Sequence, residues 1–271
     1  MLLREVEYVR PASIEDAVRE LAADDGARAL AGGQTLINVM KARAASPDVL
    51  VDLAELEELR GIELGSDGTL ELGSMVTYTQ LLESAEARAR PILGEVSAQI
   101  ADVQVRNRGT LGGNVCSNDP TNHFPPLMVA LGATFTIRGA DGERTVPAAD
   151  FFLGVYMTAV SPGELLTTII IPSGAGAGDA FENVPIGRDG TCIVSAAATV
   201  TGSGTRVAIG CVDAVPVLVE PQAADADSVK EAVRAAELDP PSDVHASADY
   251  RRHLAEVLAA RAVERAVKAK S

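Results

Sequence analysis

The stretch AGGQTLINVMK, residues 31–41, decides how this chain is read. A glycine pair lets backbone N–H groups approach a ligand oxygen closely and take up positive φ, so that successive amides can point at one anion. Neither the lysine–threonine ending of a P-loop nor a G-x-G-x-x-G dinucleotide turn follows it. Residues 27–31 before it read as a strand. Residues 35–41 after it, with Leu36, Ile37, Val39 and Met40 apolar, read as the start of a short helix. A second glycine pair stands far downstream in TLGGN, residues 110–114. Each pair sits at a segment boundary beside hydroxyl and amide side chains, Gln34 and Thr35 in one and Thr110 and Asn114 in the other. Either alone reads most simply as a tight connection, because glycine is the default turn residue. Together they point to one anion held from two sides.

Outward from these motifs, composition narrows the function. A chain of 271 residues is longer than one ordinary domain and is expected to divide into two or three compact units. The formal charge of −15 repels phosphate backbones and anionic membrane surfaces, so nucleic acid is an unsuitable partner. The first twenty residues are too charged for a signal peptide, and no run reaches membrane-spanning length, so no membrane insertion is expected. Cys116, Cys192 and Cys211 occur singly without C-x-x-C spacing, which leaves neither a disulfide framework nor a four-cysteine cluster and fits a reduced, cytoplasmic setting. Aromatic content of 3% argues against a stacking platform for bases or sugars.

Along the chain, residues 5–9 read as a strand, followed by a helix entered through Pro11 and Ser13, with Ile14, Val18 and Leu21 on one face. Residues 48–56 form another buried strand, and 68–76 alternate as a further one. Thr77 and Gln80 have capping-box spacing for a helix beginning near Tyr78, and Pro91 suits a first helical position. From 105 to about 124, Gly, Asn, Asp and Pro dominate, which predicts a long structured loop before a helix at 127–131 and a strand at 134–138. Residues 161–172 read as a turn and a strand, and SGAGAGDA, residues 173–180, as a flexible boundary. Beyond it, residues 192–202 and 205–212 form a hairpin through Gly202-Ser203-Gly204. Helices follow at 228–238 and 247–268.

Other chemistries find little support. The chain has only three histidines, His123, His245 and His253, too few and too scattered for a multi-histidine metal site. No G-x-S-x-G occurs, and Cys116 has no local activating partner. His123 inside the Pro/Asn stretch reads first as structural. Arg106 and Arg108 read first as loop anchors.

The two glycine motifs in order, AGGQTLINVMK and QVRNRGTLGGNVCSNDP, resemble the two flavin motifs of the FAD-binding medium subunits of molybdenum hydroxylases. SPGELLTTIIIP resembles the segment that closes their flavin domain. The resemblance covers residues 1–172, and the remaining α+β third matches the family's terminal domain in size and position. It implies an α+β chain: a vanillyl-alcohol-oxidase-type FAD-binding domain of two α/β subdomains, 1–57 and 58–174, then a small α+β domain at 178–271. It implies FAD contacts at Ala29, Leu30, Ala31, Gly32, Gly33, Gln34, Thr35, Leu36 and Ala101. Further contacts fall at Thr110, Leu111, Gly112, Gly113, Asn114, Asp119, His123 and Leu165. The amides of both loops are expected to embrace the diphosphate, and residues 188–192 to approach the flavin ring. No catalytic acid or base and no metal ligand is expected on this chain. The partners implied are a molybdopterin-binding large subunit and a 2Fe-2S small subunit, assembled as a dimer of heterotrimers. Two further readings stay open at this point: a stand-alone flavin oxidoreductase, and a flavin-poor docking scaffold.

Overall fold

The computed structural model describes residues 3–187 and 191–270. The first unit holds β1 (Glu7–Val9), α1 (Ile14–Ala23), β2 (Ala27–Leu30), α2 (Leu36–Lys41) and β3 (Val49–Asp52). Its sheet is wholly parallel in the order β1-β3-β2, with Tyr8 opposite Leu50 and Ala29 opposite Val51. Helix α1 begins where the capping residue predicts, because the Ser13 hydroxyl accepts from the Asp16 amide at 3.1 Å. It buries Ile14, Ala17, Val18 and Leu21 against the sheet. The strand read at 48–56 stops at Asp52, whose Oδ1 accepts from the Ala54 amide and turns the chain.

A five-stranded antiparallel sheet follows, its strands side by side in the order β4 (Ile62–Leu64), β5 (Leu70–Gly73), β10 (Leu165–Ile171), β6 (Thr134–Gly139) and β7 (Gly142–Pro147). Its leading pieces are β4 (Ile62–Leu64), β5 (Leu70–Gly73), α3 (Tyr78–Glu83) and α4 (Ile92–Ala98). Helix α3 carries the expected capping box, with Thr77 and Gln80 satisfying each other's backbone amides.

The long loop expected from 105 to about 124 is corrected. The structure folds it as α5 (Val103–Arg108) and α6 (Leu111–Ser117), followed by α7 (Phe124–Leu131). Glycine there serves close packing rather than turning. A Cβ on Gly109 would come within 2.7 Å of the Tyr78 ring, and one on Gly112 within 2.5 Å of the Ser74 carbonyl oxygen. Asp102 and Thr110 cap the two helices by accepting from the Val105 and Gly113 amides. Helix α6 ends on Asn118, in the left-handed region at φ +38°.

The unit closes with β6 (Thr134–Gly139), β7 (Gly142–Pro147), α8 (Ala148–Phe151), a small hairpin of β8 (Phe152–Gly154) and β9 (Met157–Thr158), and β10 (Leu165–Ile171). The hairpin presents Leu153, Tyr156 and Met157 to solvent.

The last sheet is antiparallel: β11 (Gly178–Ile186), β12 (Thr191–Val200), β13 (Thr205–Gly210) and β14 (Val217–Val219). Helices α9 (Ala226–Ala235) and α10 (Ala248–Lys270) cover it, α10 through Leu254, Leu258, Val263 and neighbouring alanines. The flexible boundary read at 173–180 is shorter than expected, because β11 already begins at Gly178. A Cβ at Gly178 would meet the Ala266 carbonyl oxygen at 1.9 Å, so strand and helix backbones touch there. The connection is also clamped. Arg90, 2% exposed, donates to the carbonyls of Pro172 and Ser173 and to Asp179 Oδ1.

Candidate functional site

Strand β2 delivers the chain to Ala31 at the C-terminal end of a parallel sheet, and Gly33, at φ +71°, turns it into α2. Gln34 Nε2 donates to the Gly32 carbonyl at 3.1 Å and Asn38 Nδ2 to the Gln34 carbonyl at 2.7 Å, which stiffens the turn. The amides of Gly32, Gly33, Gln34 and Thr35 donate to no acceptor among the described residues. Four successive unengaged donors at one turn form a place for an anion, since amides kept from protein, water and ligand alike would carry a desolvation cost.

The second glycine segment meets this turn directly. A Cβ on Gly32 would stand 2.1 Å from the carbonyl oxygen of Arg108, and one on Gly113 would stand 3.7 Å from Cβ of Ala31. The two arms that sequence alone could only pair by analogy are therefore in contact. Their amides, however, are used differently. Leu111 donates to the Val76 carbonyl, Gly112 to Ser74, Gly113 to the Thr110 hydroxyl and Asn114 to the Thr110 carbonyl. The expectation that amides of both loops face a diphosphate is thus corrected: helix formation engages those of the second arm. What this arm leaves unpaired is a side-chain acceptor, Asn114 Oδ1, buried without a hydrogen-bond partner among the described residues.

Between the arms lies a cleft of about 280 Å³ lined by Leu30, Ala31, Gly32, Gly33, Gln34 and Ile37 on one side and by Arg108 on the other. Asn38, Lys41 and Asp52 complete it. Lys41 and Arg108 have no ion-pair or hydrogen-bond partner among the described residues. Asp52 is engaged elsewhere, accepting from the Tyr8 hydroxyl and lying 3.5 Å from Arg10 Nε. In a chain of net charge −15 the free charges at this cleft are positive. Sequence reasoning missed Lys41 and Arg108 as cleft residues. Lys41 stood at the end of the quoted motif, a signal that was available, whereas the position of Arg108 depends on where α5 ends.

The remaining candidates separate. Ala29 and Leu30 lie on β2 leading to the turn, and Leu36 opens α2 half-buried. Thr110, Leu111 and Gly112 are buried and support the second arm from behind. Ala101 holds a positive φ of +40°, a strained conformation for a residue with a Cβ, and its carbonyl accepts from Arg106 Nη1. Arg106 is thereby the anchor that was expected. Asp119 accepts from Thr121 and from the Tyr156 hydroxyl, away from the glycine cleft. His123 is 2% exposed against the last sheet, its ring 5.2 Å from that of Phe181 and its Nε2 3.3 Å from Asn183 Nδ2. Leu165 belongs to the first core with Leu56, Leu59 and Met75. Of the segment expected near a flavin ring, residues 188–190 lie outside the described residues, and Cys192 is buried beside His123. Among the described residues no cluster of His, Cys, Asp or Glu could hold a metal, and no helix is long and apolar enough to cross a membrane.

Comparison with known proteins decides what the cleft belongs to. The profile of the FAD binding domain in molybdopterin dehydrogenase matches residues 4–174, and that of the CO dehydrogenase flavoprotein C-terminal domain matches residues 179–266. The chain belongs to the FAD-binding medium-subunit family of the molybdenum hydroxylases. This medium subunit is 40% identical to the carbon monoxide dehydrogenase medium chain of Afipia carboxidovorans, with 96% of each chain covered. It is 35% identical to the nicotine 6-hydroxylase medium subunit of Paenarthrobacter nicotinovorans, over 97% of this chain and 98% of the relative. The solved structure of reconstituted CO dehydrogenase from Oligotropha carboxidovorans superposes with a TM-score of 0.93 at 38% identity, covering 99% of this chain and 100% of the other. The medium subunit is therefore an oxidoreductase component whose cofactor is FAD, and its mixed α/β fold with a terminal flavoprotein domain is that of its relatives. The geometry fits the cofactor: unengaged amides and two cations without a partner among the described residues line one cleft, and the close approach of its two walls leaves no room for a side chain at Gly32.

Proposed function

We propose that the cleft between the two glycine arms holds the FAD diphosphate, and that the chain works as the electron-transfer subunit of its enzyme. The carrying observation is the run of unengaged amides at Gly32, Gly33 and Gln34 in the cleft that Lys41 and Arg108 also line. The amides supply fixed dipoles, and the two cations offset the diphosphate charge in a site partly shielded from water. Asn114 Oδ1, buried without a hydrogen-bond partner among the described residues, would be available to accept from a hydroxyl or N–H of the cofactor beyond its diphosphate. Thr110, Leu111, Gly112 and Gly113 position the second arm; Ala29, Leu30, Ala31 and Leu36 position the first.

FAD, when bound, supplies the redox chemistry, and the chain supplies orientation and electrostatics. We assign the electron source to a 2Fe-2S small subunit and substrate oxidation to a molybdopterin-binding large subunit, in a dimer of heterotrimers that passes electrons to an external acceptor. Support comes from the medium-chain relatives and from the three cysteines, too few for a cluster. All three are free thiols, in keeping with a cytoplasmic setting. The division into 1–57, 58–174 and 178–271 is supported by the three larger sheets, β1-β3-β2, β4-β5-β10-β6-β7 and β11-β12-β13-β14, which fall one in each segment.

Visible absorbance of the purified chain, with FAD added in reconstitution and with a molybdopterin-binding large subunit and a 2Fe-2S small subunit of its enzyme co-expressed, tests the reading. A yellow protein that co-purifies with both partners is the expected result. A chain that stays colourless in their presence would defeat the proposal.

A further inference from the structure

Sequence scatters the three cysteines, but the fold brings two of them into contact. Cys192 lies at the start of β12 and Cys211 just past the end of β13, and their sulfurs stand 3.1 Å apart. They are 1% and 7% exposed. The backbone holds them there. Buried Arg251 donates from Nη1 to the carbonyls of Ile193 and Cys211 and from Nη2 to Asp243, so one guanidinium ties both strand ends. Cys211 sits at φ +66°, a left-handed conformation unusual for a residue with a side chain. His123 closes the third side, its Nδ1 3.9 Å from Cys192 Sγ. None of these groups takes part in the glycine cleft.

We propose that Cys192 and Cys211 form a peroxide-reactive dithiol that closes to an intramolecular disulfide. The inference stands on the C-terminal sheet and is independent of the flavin reading. The Cys211 thiol, held toward Cys192, and then His123 pull the Cys192 thiol down to about 5, while the same contact pushes Cys211 up; the thiolate therefore forms on Cys192. Access is from the Cys211 side, where Cys211 lines a narrow cleft with Asp119, Pro120, Pro126 and Asp213. The cleft's volume of about 10 Å³ is that of a single water, so only a small oxidant such as hydrogen peroxide, entering as the cleft opens, can reach the sulfur pair.

The Cys192 thiolate attacks one peroxide oxygen; the O–O bond breaks, hydroxide leaves and takes a proton, and a sulfenic acid remains. The Cys211 sulfur then attacks the sulfenic sulfur. The S–S bond forms, the S–O bond breaks, and the hydroxyl departs as water with the Cys211 proton. Two thiols lose two electrons in all, and one peroxide becomes two waters. Closure draws the sulfurs together by about 1 Å, to the ~2.05 Å of a disulfide.

The test uses the purified full chain, reduced, desalted and exposed to hydrogen peroxide, then denatured, alkylated with iodoacetamide and weighed. The reduced chain takes three alkyl groups. After peroxide only Cys116 is alkylated, and an unalkylated sample is lighter by about 2 Da, the two hydrogens lost. Tryptic peptides 189–206 and 207–230 are recovered as a linked pair. Dithiothreitol in denaturant restores all three alkylations. In Cys211→Ala the link is lost and Cys192 is trapped by dimedone as the sulfenic acid; Cys211→Ser serves if the alanine variant folds poorly. A wild-type chain that still takes three alkyl groups after peroxide overturns the proposal. So does one whose Cys192 is oxidised without the linked peptides.

Discussion

The two glycine arms look alike in sequence and act in opposite ways. In the first, residues 31–35, the glycines leave amides free and one of them, Gly33, turns the chain through positive φ. In the second, residues 110–114, the glycines are helical, and every amide from Leu111 to Asn114 has an internal acceptor. The first arm keeps donors unengaged while its Gly32 abuts the Arg108 carbonyl, and the second uses its glycines for close packing alone, its amides all engaged. A Gly-Gly pair is thus a statement about missing Cβ atoms, and only the surroundings decide whether the vacated space faces a ligand or a neighbouring chain segment.

Substitutions on the two arms should separate these roles. Gly32→Val has the largest expected effect, because even a Cβ meets the Arg108 carbonyl oxygen at 2.1 Å, where backbone opposes backbone. FAD content after purification should fall to roughly a tenth of wild type or less, a loss of at least ~1.4 kcal/mol in binding. A variant that folds and keeps its flavin would remove this arm from the site. Gly112→Ala, with its Cβ 2.5 Å from the Ser74 carbonyl oxygen, should cost about 1–3 kcal/mol of stability by overpacking. That cost should appear equally in chemical denaturation with and without FAD; a loss confined to the holoprotein would mean that the second arm touches ligand through its backbone after all.

The cations give a smaller, salt-dependent effect. Combined Lys41→Ala and Arg108→Ala should weaken FAD binding about tenfold at low ionic strength, an effect that shrinks as salt screens the exposed charges. Titration by flavin fluorescence at two salt concentrations measures it, and unchanged affinity at low salt would count against the assigned cleft. Smallest is Thr110→Ala, which removes the hydroxyl that accepts from Gly113 at 3.0 Å. About 1 kcal/mol of stability should be lost, and Thr110→Ser should recover it; a null shift in thermal melting would show that the cap is dispensable.

How far the chain could be read without a structure follows the range of the interactions. Local signals were legible: Ser13 and Thr77 announced their helices through hydrogen bonds spanning three residues, and both caps are present. The hairpin at Gly202-Ser203-Gly204 and the apolar period of the last helix were equally visible. The region from 103 to 117 was not, because glycine and asparagine propensity argues for a loop. Helix wins there through contacts with Tyr78 and Ser74 that no local window contains. For the same reason Gly178 read as linker although it belongs to a sheet against α10.

By itself, the sequence determined the two-motif order that marks a medium flavoprotein subunit, the starts of the well-capped helices and the absence of cluster cysteines, since these depend on residue type and short spacing. Only the tertiary structure decided that one arm donates amides while the other engages them internally. It also decided that Lys41 and Arg108 face one cleft, that His123 packs beside Phe181 while Leu165 joins the core on which Ala29 and Ala31 rest, and that Cys192 meets Cys211. Those outcomes depend on which distant backbone occupies the space beside a residue, and chain spacing carries no record of that.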